Sequence, residues 1–286
     1  MADAGGGQHA RGRSAYRGGP AKLGDAAAKP RLIETVYGLG YRLAQAAGCR
    51  PVETGGGGRL GSDTMVDNMR TETVLDRDLF DRLPAGSTLV LRDVPWDDYE
   101  ALLDAVGEAA GLRISYDRGT LQIMTLSPEH EKYVRLIDNL VSMLSVKRRI
   151  EVLSFGSFTM KRKIKLRGAE PDGCFYVQSA NIIGGKSHID LATDPPPDVV
   201  VEIDVHHESV SKLPIYAGLG VREVWRYDGQ TLTISRLEGE RYSDAKESLA
   251  LPMLTAAVLT QFLSLGRDKT QYEVLLAFEK WLDEHR

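Results

Sequence analysis

Only two cysteines, Cys49 and Cys174, occur in the 286 residues, too few and too far apart for a disulfide framework. No apolar run approaches the roughly 18 residues that a membrane helix requires, and residues 1–13 lack the apolar stretch of a secretion signal. Nor is positive charge in excess. The formal net charge of -4 gives no global attraction to nucleic acid and leaves any such binding to a local basic patch. These absences argue against a disulfide-stapled secreted module and a helical membrane protein, and the cytoplasm is the expected compartment. What remains, 42% hydrophobic and 27% charged, is ordinary for a globular protein of one large or two modest domains.

Residues 1–70 are rich in glycine, alanine and small polar residues, with an uninterrupted glycine run at 55–58. Such a composition cannot bury enough apolar area to order itself, so a disordered low-complexity extension is expected, followed by one folded domain over 71–286. One island stands out within it, Lys22-Leu23-Gly24 and then Pro30 through Leu43 (PRLIETVYGLGYRL). It resembles the C-terminal wing of the winged-helix DNA-binding domain of OmpR-type response regulators. The upstream residues do not read as the three helices such a domain needs, and a two-stranded wing alone is marginal.

Beyond this extension, apolar spacing predicts a helix over 96–110, a hairpin over 112–124 turning at Asp117-Arg118-Gly119, and a long helix over 128–146. Ser127 and Pro128 supply the cap and first turn of that long helix. Strands are expected at 150–153, 157–165, 172–177, 197–205, 223–227 and 232–236. A short helix at 209–217, ended by Gly218, and two C-terminal helices at 251–265 and 272–285 complete an α/β sandwich.

Chemistry concentrates in two stretches, Glu170-Pro171-Asp172 and Pro197 through Asp204 (PDVVVEID). Period-two alternation puts Val199, Val201 and Ile203 on one strand face and Asp198, Val200, Glu202 and Asp204 on the other. A carboxylate inside such a strand costs several kcal/mol unless paired, hydrogen-bonded or metal-bound, roughly as for other buried polar groups. Asp172 and Glu202 on neighbouring strands would present two hard oxygen ligands for Mg²⁺ or Mn²⁺ at one sheet end. The alternative is a pair of core carboxylates neutralised by Arg or Lys. If Glu202 is a metal ligand rather than an ion-pair partner, its removal is expected to leave stability unchanged or improved.

These two stretches, with Ser127-Pro128-Glu129-His130-Glu131, Lys212 and Tyr216, and the run from Gly220 to Asp228 (GVREVWRYD), resemble the Uma2 family of restriction-endonuclease-like proteins over about residues 93–266. The resemblance implies the PD-(D/E)xK nuclease fold, a central mixed sheet flanked by helices. It implies Asp172 as the acid of the PD element and Glu202 as the acid of the (D/E)x element, hence a Mg²⁺-dependent endonuclease acting on nucleic acid, with DNA the expected partner and a homodimer allowed. Asp204 stands where the general nuclease pattern has a lysine. Lys212 could reach back to the same strand end in its place, with Tyr216 one helical turn on; Asp204 is then a third metal ligand or a strand terminator.

Glu131, in the first turn of the long helix, is either a further acid toward the metal or an ordinary acid at the positive helix end. His130 is a phosphate or water ligand, or a packing histidine. His206 and His207 point to opposite sides of an extended chain and make a poor zinc pair. Alternation places Lys161, Lys163, Lys165 and Arg167 on one face of a strand, suited either to a phosphate backbone or to guarding a sheet edge. A non-catalytic nucleic-acid-binding or protein-interaction module on the same fold is the alternative to a nuclease.

Overall fold

The computed structural model describes residues 84–107, 111–205 and 211–285, together with the strands β1 (Ile33–Val36) and β2 (Gly40–Leu43). Then follow β3 (Thr88–Leu91), α1 (Trp96–Val106), β4 (Leu112–Asp117), β5 (Thr120–Thr125) and α2 (Pro128–Arg148). Next come β6 (Leu153–Ser154), β7 (Met160–Arg162), β8 (Arg167–Ala169), β9 (Gly173–Tyr176), α3 (Ala180–Ile183) and β10 (Val199–Ile203). The chain ends with α4 (Leu213–Leu219), β11 (Glu223–Tyr227), β12 (Leu232–Glu238), β13 (Arg241–Ala245), α5 (Ala256–Asp268) and α6 (Gln271–Glu284).

The site-bearing sheet has the order β13-β12-β11-β10-β9-β6. It is mixed: β10 and β11 run parallel, joined by the crossover that contains α4, and the other neighbours are antiparallel. Alternation along β10 works as the sequence indicates. Val199, Val201 and Ile203 enter a core shared with Leu140 of α2, Phe262 of α5 and Phe278 of α6. Val200 faces the opposite way, into a cluster with Ile215, Tyr216 and Leu219 of α4. With both faces of the strand covered, Glu202 is largely buried, which is why its partners decide the chemistry.

A second sheet, β1-β2-β3-β5-β4-β8-β7, was not read as a separate layer from the sequence. Its β4–β5 turn is the two-residue hairpin expected, with φ of 46° at Arg118 and 96° at Gly119, both in the left-handed region that such tight turns require. α1 packs Trp96, Tyr99, Leu102 and Val106 onto Ile114, Tyr116, Leu121 and Ile123. Glu170, just past β8, braces this sheet: Ile114 N donates to its Oε2 at 3.0 Å and Thr159 Oγ1 donates to its Oε1 at 2.7 Å.

Several boundaries differ from the sequence reading, each with a local cause. The strand expected over 157–165 stops at Arg162, turns through a single 3₁₀ turn at Lys163–Lys165 and a left-handed Leu166 (φ 50°), and returns as β8. Pairing of β8 with β4 and of Arg167 with Asp117 at 3.1 Å favours this reversal. The short helix starts at Leu213 rather than at residue 209, with Pro214 in its first turn, and ends at Gly220 (φ 86°) instead of Gly218. Thr255 caps α5, accepting from Val258 N, so the helix begins five residues later than its apolar pattern suggests.

Of the extension over 1–70, only β1 and β2 are described; they pair antiparallel, and β2 meets the edge strand β3 at Tyr41 and Leu89. The wing resemblance thus falls on a hairpin added to a sheet edge. Because residues 1–70 show no sustained apolar periodicity, deleting them is expected to leave a domain that unfolds in one cooperative transition. A truncated protein without such a transition in denaturant titration would place essential core contacts in the deleted segment. No helix among the described residues is long and apolar enough to cross a membrane.

Candidate active site

Asp172 lies between β8 and β9, 1% exposed, and is sewn to the middle of β10 from two sides. Its backbone N donates to Val201 O at 3.1 Å, and its Oδ2 accepts from Ile203 N at 2.8 Å. Two cationic or potentially cationic groups approach the carboxylate. His130 Nε2, from the first turn of α2, lies 2.9 Å from Oδ2, and Arg113 Nε, from β4, lies 3.3 Å from Oδ1. Burial pushes the Asp172 carboxyl up, but the imidazole, the Lys212 ammonium and the Ile203 N–H outweigh it and hold the group below the usual aspartate range.

Glu202 is one residue away on β10, 5% exposed. Lys212, the residue capping α4, donates from Nζ to Glu202 Oε2 at 2.7 Å, and the Tyr216 hydroxyl donates to Oε1 in a short contact. Burial raises the Glu202 carboxyl to about 7, with Asp172 and Asp204 adding to the rise and Lys212 opposing it. Burial alone would lower the Lys212 ammonium, yet the Glu202 and Asp172 carboxylates keep it above its ordinary value. Tyr216 is pushed well up, by burial first and by Glu202 next, so it remains a donor. Lys212 is thus held as a cation by two carboxylates, while burial works against the charged form of Glu202.

A cleft of about 210 Å³ opens beside this pair, lined by Glu202, Asp204, Lys212, Tyr216 and Arg226 among others. Asp204 has a specific engagement: its Oδ2 accepts from Arg226 Nε at 2.6 Å. Arg226 is the parallel register partner of Glu202, so the neighbouring strand brings its guanidinium to Asp204. Glu131 reaches the other side of the site, 3.7 Å from Arg113 Nη2 and 3.6 Å from His130 Nδ1.

The structure therefore joins Lys212 to Glu202 directly, sets Asp172 on the same stretch of β10, and leaves Asp204 and Glu131 at opposite margins with arginines. It does not make a stripe of the basic residues. Lys161 pairs with Glu100 at 3.0 Å, Lys163 with Asp97 at 3.2 Å and Glu100 at 3.3 Å, and Arg167 with Asp117, while Lys165 lies in the turn. His206 and His207 lie outside the described residues. Arg113 and Arg226 escaped the sequence reading. Pairing the strands at 197–205 and 223–227 in parallel would have found Arg226; nothing local marks Arg113.

A mixed sheet flanked by helices is the architecture of a restriction-endonuclease-like fold. The chain belongs to the Uma2 family, described as "Putative restriction endonuclease", which matches residues 96–265; its type is accordingly nuclease-like. A solved structure from Anabaena variabilis, described as a "putative nuclease belonging to DUF820", is similar at 16% identity with a TM-score of 0.36, covering 52% of this chain and 90% of that one. No curated protein matches the chain.

Proposed function

We propose that this protein is a Mg²⁺- or Mn²⁺-dependent endonuclease that hydrolyses DNA phosphodiester bonds, with Asp172 and Glu202 as metal ligands. The observation that carries this reading is the Lys212–Glu202 contact: the lysine that the pattern places on the strand is supplied from α4, 2.7 Å from the second acid. Among the described residues no group of three or more His, Cys, Asp or Glu is placed to hold a metal. Mg²⁺ does not need one, because it takes one or two carboxylates and keeps several waters. Asp172 Oδ1, buried and without a hydrogen-bond donor from the protein, fits that role.

When bound, the ion supplies Lewis-acid charge to a phosphate and acidifies water. The chain's own groups do the rest. Asp172 stays anionic because His130, Lys212 and the Ile203 N–H favour its charged form. Lys212 keeps its proton, because the Glu202 and Asp172 carboxylates hold it above its ordinary value, and it stabilises phosphoryl charge rather than acting as a base. Tyr216 fixes the Glu202 carboxylate. Arg226 brings a further cation to the cleft mouth for a phosphate. Lys161, Lys163, Lys165 and Arg167 are the proposed DNA-backbone contacts, with part of their charge spent on Asp97, Glu100 and Asp117.

A non-catalytic binding module is favoured by one fact: Asp172 and Glu202 each already have an internal cation. Calorimetric titration with Mn²⁺ separates the two readings. The nuclease reading expects one saturable site that Asp172→Asn abolishes. No heat of binding to the unmodified chain would favour the module.

A further inference from the structure

Among the described residues, Arg113 Nε, His130 Nδ1, Glu131 Oε1 and Asp172 Oδ1 are buried side-chain atoms that sit together without a hydrogen-bond partner within the protein, while His130 Nε2 faces Asp172 Oδ2 at 2.9 Å. Buried polar atoms are normally paired, since each unpaired one forfeits its hydration for nothing. Their concentration around one carboxylate marks a place whose resident groups compensate charge without satisfying one another.

Arg113 is the centre of that imbalance. Its Nε lies 3.3 Å from Asp172 Oδ1 and its Nη2 3.7 Å from Glu131 Oε1, while Nη1 donates to Leu112 O at 3.0 Å. A guanidinium fitted to a carboxylate makes short, parallel, aligned hydrogen bonds; these two contacts are long and unaligned. The side chain is 11% exposed, so its charge is directed inward to the acids rather than outward to a DNA backbone. Because arginine does not lose its proton in proteins, that charge is permanent.

We propose that Arg113 is an internal counter-cation that competes with the divalent ion for Asp172 Oδ1, and that ion binding shifts the guanidinium off Asp172 and onto Glu131. This rests on the divalent-ion reading above. Two cations at one buried carboxylate oxygen repel, so one must withdraw. Arginine has somewhere to go, because Nη2 already faces Glu131 and the stem is flexible. Glu131 thereby acquires a role distinct from ligand or helix-end acid: it holds the displaced charge. His130, 3.6 Å from Glu131 and 2.9 Å from Asp172, bridges the two positions.

The test is Mn²⁺ affinity by electron paramagnetic resonance, with thermal unfolding of metal-free and Mn²⁺-saturated protein, on the full chain. Arg113→Gln is expected to bind Mn²⁺ about tenfold tighter or better. Its metal-free form should unfold at lower temperature than the unmodified protein, and saturating Mn²⁺ should make good that loss. Arg113→Lys, which keeps the charge, should stay near the unmodified affinity. Glu131→Gln should weaken binding in the unmodified background and have no further effect on Arg113→Gln, since there is then no charge to relocate. Equal or weaker binding by Arg113→Gln, in a chain that binds Mn²⁺ unmodified, overturns the competition while leaving the metal site intact. If neither protein binds Mn²⁺, the divalent-ion reading falls and takes the competition with it. Binding by Arg113→Gln alone would be competition in its strongest form.

Discussion

Lys212→Ala is expected to lower DNA cleavage by about 10²- to 10³-fold, the loss typical of a preorganised charge-stabilising donor, while Mn²⁺ binding survives. The division follows from the proposed roles: the carboxylates would hold the ion, and the ammonium sits 2.7 Å from Glu202 with its proton retained by the charges of Glu202 and Asp172. Folding should be only mildly affected. Glu202 already has a carboxyl raised to about 7 by burial, and without its ammonium it can escape charge burial by taking a proton. Rates and Mn²⁺ affinities measured side by side on purified variants check both halves. Undiminished cleavage by Lys212→Ala would remove the lysine from the mechanism.

Glu202→Ala is expected to behave in the opposite way, costing about 3–5 kcal/mol of stability, as when one partner of a buried ion pair is deleted. Glu202 read as a metal ligand from sequence suggests unchanged or improved stability. The Lys212 contact argues the other way, because Lys212, itself 7% exposed, would be left with its ammonium buried and its nearest counter-charge gone. Removing both charges, Glu202→Ala with Lys212→Met, should recover most of the loss in urea unfolding.

The same residue sets a pH dependence. A carboxyl whose folded-state value is raised to about 7 from an ordinary 4.5 favours the folded protein at low pH, and that contribution disappears as pH climbs from 4.5 through 7. Glu202→Gln should flatten the stability profile over this interval. A profile in the variant that still falls across it would assign the titration elsewhere.

How much of this was legible depended on whether the signal was local. The β10 alternation, the Ser127 cap and the Arg118-Gly119 turn are set by neighbours in sequence, and each appears where its pattern puts it. Lys212 and Tyr216 were legible through their helical spacing and the family resemblance, and both meet Glu202. The basic stripe was misread because alternation of lysine with other residues looks the same in a strand and in a strand that reverses. The deciding partners, Asp97, Glu100 and Asp117, come from α1 and β4. Arg113 has no local mark at all. Its importance exists only once β4 is brought against the β8–β9 connection and the start of α2.

The most direct test is cleavage of duplex and single-stranded DNA by the full chain in Mg²⁺ or Mn²⁺, against chelator and against Asp172→Asn. The account predicts strand scission that requires the divalent ion and is lost in the variant. Scission that persists in chelator or in Asp172→Asn, or none by the unmodified chain with either ion, would contradict it.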